Sequence, residues 1–146
     1  MRRALEIDER SFGPDHPEVA TDLNNLAELL KDMDLPAEAE RLMRRSLAID
    51  EQSFGPDHPK VAIRLNNLAQ LLQDADRLAE AEPLMRRVLK VFLRFTVDTG
   101  HGHPHFRGAV RNYTALLERM SYNEDQVKAQ LDNVGRPFGM RLGSDT

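Results

Sequence analysis

Residues 11–17 read SFGPDHP, and residues 53–59 repeat the same seven letters. Shifting the sequence against itself by 42 positions extends this match, because 30 of the 42 residue pairs between residues 1–42 and 43–84 are identical. Apolar positions are kept in both copies, whereas polar positions vary. Self-similarity at a fixed period of this length indicates a repeat architecture in which neighbouring units bury a shared core.

A third, weaker copy follows once three residues are inserted. His103-Pro104 corresponds to His58-Pro59, and Asn112 corresponds to Asn67, each 45 positions further on. The chain therefore holds at least two and a half units. A solenoid of this kind needs several stacked units, because one unit alone leaves apolar surface in water.

Each unit contains two amphipathic segments separated by turn residues. In the second copy, leucine and alanine recur at helical spacing as Leu65, Leu68, Ala69 and Leu72. Gly55 and Pro56 end one helix, and Pro59 fits the first turn of the next. We therefore predict an all-α fold, a superhelical α-solenoid of antiparallel hairpins with helices at about 1–12, 17–32, 36–53, 59–75, 78–97, 104–120 and 123–134.

The repeat predicts one domain over residues 1–134 and a flexible tail over residues 135–146. Four residues that disfavour a helix, three glycines and a proline, fall in that tail. Within the domain we expect a partial unit at 1–16, full units at 17–58 and 59–103, and a degenerate capping unit at 104–134.

Composition narrows the function classes. The chain has 146 residues, 40% of them hydrophobic and 30% charged, and no cysteine, which excludes thiolate zinc sites and cysteine nucleophiles. A net charge of −4 provides no basic field for nucleic acid, and no apolar run is long enough to span a membrane. The first residues lack the pattern of a signal peptide, so we expect a cytoplasmic protein.

The three motifs LNNLAxLL, AEAExLMRR and FGPDHP resemble the tetratricopeptide repeat in its 42-residue variant, as found in kinesin light chains and many bacterial regulatory proteins. The resemblance covers residues 1 to about 134 and implies a bacterial source. Asp34, Asp76 and Ser121 depart from it, since they stand where the family usually has a helix-ending glycine. No heptad segment for joining a motor chain is present.

The resemblance implies that the first helix of each hairpin lines a concave groove that binds an extended peptide of a partner protein. Adjacent asparagines stand in the middle of two such helices, although asparagine is a poor helix former. A carboxamide both donates and accepts hydrogen bonds, so it can pair with any peptide backbone. The candidate contacts are Asn24, Asn25, Glu28, Lys31, Asn66, Asn67, Gln70, Gln73, Arg111 and Asn112. In the alternative interpretation, Asn25 and Asn67 fasten neighbouring hairpins through buried hydrogen bonds.

The sequence indicates neither a carboxylate clamp nor a metal site. A clamp for a terminal carboxylate would need several converging cations, and the groove cations alternate with acidic residues. His101, His103 and His105 stand at alternate positions and could in principle chelate a metal. His103, however, is the repeat copy of His16 and His58, which precede a proline and are expected to cap a helix. We therefore predict no metal, no cofactor and no enzyme activity.

The N-terminal helix matches the second helix of a hairpin whose first helix is missing. Its side formed by Met1, Ala4 and Leu5 is expected to expose apolar surface, so that the chain either self-associates through this helix or is a fragment of a longer array. Two function classes follow from the sequence. The first is a peptide-binding interaction module, and the alternative is a scaffold element that forms homo-oligomers through this helix.

Overall fold

The computed structural model describes residues 2–143, which contain seven α-helices and no strand. The all-α prediction is confirmed, and every helix boundary lies within two residues of its predicted position. No helix among these residues combines the length and apolar character needed to cross a bilayer. The helices are α1 (Arg2–Phe12), α2 (Pro17–Asp32), α3 (Pro36–Phe54), α4 (Pro59–Asp74), α5 (Leu78–Thr99), α6 (Phe106–Arg119) and α7 (Glu124–Gly135), followed by a 3₁₀ turn at Arg136–Phe138.

The chain divides into two compact units, one up to Leu71 and one from Leu72, so that the division falls within α4. In the first unit, the leucine stripe of α2 is buried against α3, as its helical spacing predicts. The hydroxyl of Ser46 on α3 donates to the backbone carbonyl of Ala20 on α2 at 2.7 Å, which satisfies a fully buried polar group.

Two histidines start the first helices of the hairpins. His16 accepts a hydrogen bond at Nδ1 from the backbone N–H of Glu18, and its ring stacks on Phe12 with centroids 4.5 Å apart. His58 repeats the arrangement, accepting from Lys60 and stacking on Phe54 at 4.8 Å. Both histidines therefore satisfy a backbone donor in the first turn of a helix, as predicted.

Asp34, Asp76 and Ser121 end their helices with φ of 61°, 58° and 72°. These left-handed conformations explain why glycine is usual at the corresponding positions of the family that the sequence resembles. After Asp34, the N–H of Leu35 reaches back to the carbonyl of Leu30 at 2.9 Å, which closes the helix end. Aspartate tolerates this conformation better than most residues, so the turns survive without glycine.

The second unit is centred on Tyr113, a fully buried residue of α6. Its hydroxyl donates to Glu82 on α5 at 2.8 Å and accepts from Gln130 on α7 at 3.0 Å. Burial raises the pKa of this phenol well above its usual range. One buried hydroxyl therefore connects α5, α6 and α7.

Residues 136–143 pack against α7, which differs from the flexible tail that the sequence predicts over residues 135–146; the last three residues of that prediction lie outside the described part of the chain. Leu142 is buried, and the N–H of Gly143 donates to Asp132 at 2.9 Å. A side chain at Gly143 would collide with the backbone of Lys128, and one at Gly135 would meet the carbonyl of Met140. Two of the three glycines that suggested a loose tail therefore allow a close approach of two backbones.

Candidate functional site

The predicted peptide contacts of the first unit lie on α2 and α4, and one pair of them bonds to each other. Asn67 Nδ2 on α4 donates to Asn24 Oδ1 on α2 at 3.2 Å. Asn24 is only 7% exposed, so it serves to join the two helices and is not a free peptide contact. Asn67 thus fits the fastening interpretation, whereas Asn25 is exposed and does not.

Arg64 is a second link between the same helices and their neighbour. Its Nε donates to Asp50 on α3 at 2.8 Å, and its Nη2 donates to Thr21 on α2 at 3.2 Å. The Asp50 side chain is only 1% exposed, so the guanidinium compensates a buried charge. Arg64 is therefore committed to the fold and is not available to hold an anion.

The remaining predicted contacts of the first unit lie on α2 and α4, and we refer to them together as the polar face: Asn25, Glu28, Lys31, Asn66 and Gln70. Lys31 and Glu28, one turn apart on α2, form an ion pair at 3.5 Å with both side chains partly exposed. On α4, Asn66 and Gln70 are half-buried and also one turn apart. The Asn66 carbonyl oxygen Oδ1 is buried and has no hydrogen-bond partner within residues 2–143.

Three predicted contacts belong to the second unit. Gln73, at the end of α4, is buried; its backbone carbonyl accepts from Arg119 at 3.4 Å, while its side-chain Nε2 has no partner in the described part of the chain. On α6, Arg111 is exposed and Asn112 is half-buried. Of these three residues, only Arg111 is exposed to solvent.

The predicted association surface on α1 is only partly as expected. Met1 lies outside the described residues, Ala4 is exposed, and Leu5 is half-buried. Leu5 packs against a core cluster of α2 and α3. Part of the α1 surface that was expected to bind another copy therefore contacts helices of the same chain. The apolar surface that α1 leaves in water is instead that of Ile7 and Phe12, which are 52% and 50% exposed.

The histidine loop is organised by packing and backbone contacts. His103 Nδ1 accepts from the backbone N–H of His105 at 3.1 Å, and the His103 ring stacks on Phe92 at 4.4 Å. Burial lowers the pKa of His103, and the nearby charge of His105 lowers it further. Within the described residues, no three side chains of metal-binding type come together.

The sequence prediction overlooked a pair of carboxylates, Asp8 on α1 and Asp22 on α2. Burial raises the pKa of Asp22 to about 6, and a hydrogen bond and the charge of Asp8 add to the effect. With both groups ionised, Asp22 Oδ2 is buried and lacks a partner among residues 2–143. Comparison of the copies could have revealed this pair, since Asp22 stands where the second copy has Arg64.

The hairpins, their turns and the polar helix face together define a protein built from helical-hairpin repeats. The family model of the tetratricopeptide repeat matches residues 1–52 and 23–94, which together span residues 1–94 of 146. The chain therefore belongs to the tetratricopeptide repeat family, whose members generally mediate protein–protein interactions and are typically not enzymes. No curated protein matches the sequence.

Proposed function

We propose that this chain is a non-enzymatic interaction module that binds an extended peptide along the polar face of α2 and α4. Asn66 carries the proposal. Its buried carbonyl oxygen has no partner within the described residues, and buried acceptors are nearly always hydrogen-bonded. An N–H group of a bound peptide would satisfy this oxygen. Because a backbone N–H is present in almost every residue, such a contact selects an extended conformation and not a particular sequence.

The neighbouring groups suit the same ligand. Gln70 follows Asn66 by one helical turn and offers a second carboxamide. The partly exposed pair of Glu28 and Lys31 supplies one charge of each sign on α2. The bond between Asn24 and Asn67 holds the two helices at a fixed spacing, so the proposed face is preorganised. In the second unit, Gln73, Arg111 and Asn112 remain proposed peptide contacts of that unit by itself, and the exposed Asn25 remains a proposed contact in the first unit.

The test is Asn66→Ala, with Asn133→Ala on α7 as the control because Asn133 is also a helical asparagine but is exposed. Peptides are first selected from a displayed random library on the wild-type protein. We expect Asn66→Ala to weaken the selected peptides about fivefold, as the loss of a hydrogen bond of about 1 kcal/mol requires. The control should bind as the wild type does.

Thermal unfolding of the same variants separates binding from folding. Asn66→Ala removes an acceptor that has no partner, so we expect its melting temperature to be retained or raised. A lower melting temperature with unchanged peptide affinity would show that Asn66 is structural and would contradict the proposal. Asn67→Ala is unsuitable for this purpose, because it breaks the bond to Asn24.

A second candidate function is self-assembly through α1, and the exposure of Ile7 and Phe12 favours it. Burying these side chains between copies would stabilise a homo-oligomer by about 1.5–3 kcal/mol for each fully buried residue. Light scattering after size exclusion tests this, with Ile7→Lys as the variant. Association that grows with concentration and is lost in Ile7→Lys would support it, and a monomer at every concentration would contradict it.

We also infer that the repeats are of the kinesin-light-chain-like kind and belong to a bacterial, cytoplasmic protein. The support is the period of 42 residues and the SFGPDHP turn that occurs in two copies. The partner peptide would then be part of another protein of the same compartment.

A further inference from the structure

A cavity of about 880 Å³ in the second unit lies between the start of α6 and the C-terminal segment after α7. We call it the arginine cavity, because three of its lining residues are Arg107, Arg111 and Arg141. The other lining residues are mainly apolar and include Val110 and Leu142, which are 8% and 7% exposed. None of the described residues that line it is acidic.

The positive charge of the arginine cavity is concentrated by the fold. Arg107 and Arg111 are one turn apart on α6, where like charges repel each other by a few tenths of a kcal/mol. Arg111 folds back toward the start of the helix, with Nη2 3.9 Å from the position that a side chain at Gly108 would take. The first turn of α6 contains no acidic residue, so the positive end of the helix dipole is not neutralised there by a carboxylate of that turn.

Packing of the C-terminal segment places Arg141 at the same cavity as Arg107 and Arg111. Gly135 lets the carbonyl of Met140 approach to within 2.5 Å of where a side chain would start, and Leu142 is buried beside it. Arg141 lies between these two anchored residues. An adjoining cavity shares Val110 and Arg111 but also contains acidic lining residues, so it lacks the uniformly basic charge of the arginine cavity.

We propose that the arginine cavity binds an acidic segment of a partner protein. Carboxylate side chains of the segment pair with the guanidinium groups, whose planar geometry suits two parallel hydrogen bonds to a carboxylate. An aliphatic side chain between the acidic ones covers Val110 and Leu142. The site shares Arg111 with the peptide contacts proposed above, but Arg107 and Arg141 are not among those contacts, so variants of these two residues test the cavity by itself.

The probe is a short synthetic peptide that alternates glutamate and leucine, with its C-terminus amidated so that only side-chain carboxylates are present. Its affinity is measured by fluorescence polarisation at low and high salt. We expect Arg107→Gln and Arg141→Gln each to weaken binding about tenfold, as loss of a charge-assisted hydrogen bond implies. Arg136→Gln removes an exposed charge of the same segment outside the cavity and should bind like the wild type.

Four further measurements make the test decisive. Gly135→Ala leaves every charge in place but forces the segment away, so it should also weaken binding. The glutamine analogue of the peptide should not bind, and Asn66→Ala should leave binding of the acidic peptide unchanged. Equal loss in Arg136→Gln, binding of the glutamine analogue, or equally tight binding of single-stranded DNA would overturn the proposal, because the attraction would then be non-specific.

Discussion

The two copies of the repeat place different charges at one structural position. In the second copy, Arg64 on α4 meets the buried Asp50 on α3 at 2.8 Å. In the first copy, the residues 42 positions earlier are Asp22 on α2 and Asp8 on α1, so an acid meets an acid. The backbone and the apolar stripe are conserved between the copies. The charge at the helix junction therefore differs between the copies although the fold is the same.

The largest expected effect is at the second junction. Arg64→Ala would leave the Asp50 carboxylate buried without its cation, and we expect the free energy of unfolding to fall by about 3–5 kcal/mol. Urea denaturation measures it. Arg44→Ala is the control, because Arg44 pairs with Glu40 at the surface and should cost at most about 1 kcal/mol.

Asp50→Asn in the Arg64→Ala background should restore much of that stability, since it removes the unpaired charge. If the double variant is as unstable as Arg64→Ala alone, packing of the arginine stem and not charge compensation holds the junction.

The next effect concerns the asparagines of the same two helices. Asn67→Ala would leave Asn24 Oδ1 buried and unpaired, at a cost of about 1–2 kcal/mol in the free energy of unfolding. Thermal and urea unfolding both report it. Replacing both residues, with Asn24→Leu in the Asn67→Ala background, should cost less than Asn67→Ala alone, because no acceptor is then stranded.

The first junction gives stability a dependence on pH. The Asp22 carboxyl titrates near 3.8 when unfolded and near 6 when folded, so the folded state binds more protons between these values. The free energy of unfolding therefore falls as pH rises from about 4 to about 6. We expect Asp22→Asn to be more stable than the wild type by about 1 kcal/mol at pH 7, after allowance for solvent screening.

Urea denaturation at a series of pH values measures this difference, which should shrink toward pH 4. Asp15→Asn, at an exposed turn position, serves as the control and should show no such trend. A difference between Asp22→Asn and the wild type that is constant across the range would rule out the carboxylate pair as its cause.

The smallest effect should come from Asn25, the first-copy counterpart of Asn67. Asn25 is exposed, so Asn25→Ala removes no buried bond and gains helix propensity. We expect the melting temperature to rise slightly, corresponding to at most about 0.7 kcal/mol. A decrease comparable to that of Asn67→Ala would show that the two copies are held in the same way after all.

Much of the fold could be predicted from the sequence, because helix periodicity and turn residues act locally. The stripe of leucines and the Gly-Pro and His-Pro turns located all seven helices to within two residues. The prediction of a flexible C-terminal segment differs from the structure for a physical reason. Gly135 and Gly143 indicated a loose tail, but both serve a close contact between backbones that only the folded chain reveals.

The candidate site was less predictable. Repeat position alone could not separate Asn24, which is buried, from Asn66, whose oxygen lacks a partner within the described residues. The arginine cavity was missed because Arg107 and Arg141 are distant in sequence and meet only through the packing of the C-terminal segment. Side-chain placement at such points depends on long-range packing and not on local pattern.

The stacked histidine and phenylalanine at the first two turns have a consequence for how this array could grow. In each turn the two stacked rings are four residues apart in sequence, at Phe12 and His16 or at Phe54 and His58. Contacts this local form early and need no neighbouring unit. Duplication of a 42-residue segment therefore copies the complete turn together with its stacked rings. A longer array would contain the same turn at each inserted repeat.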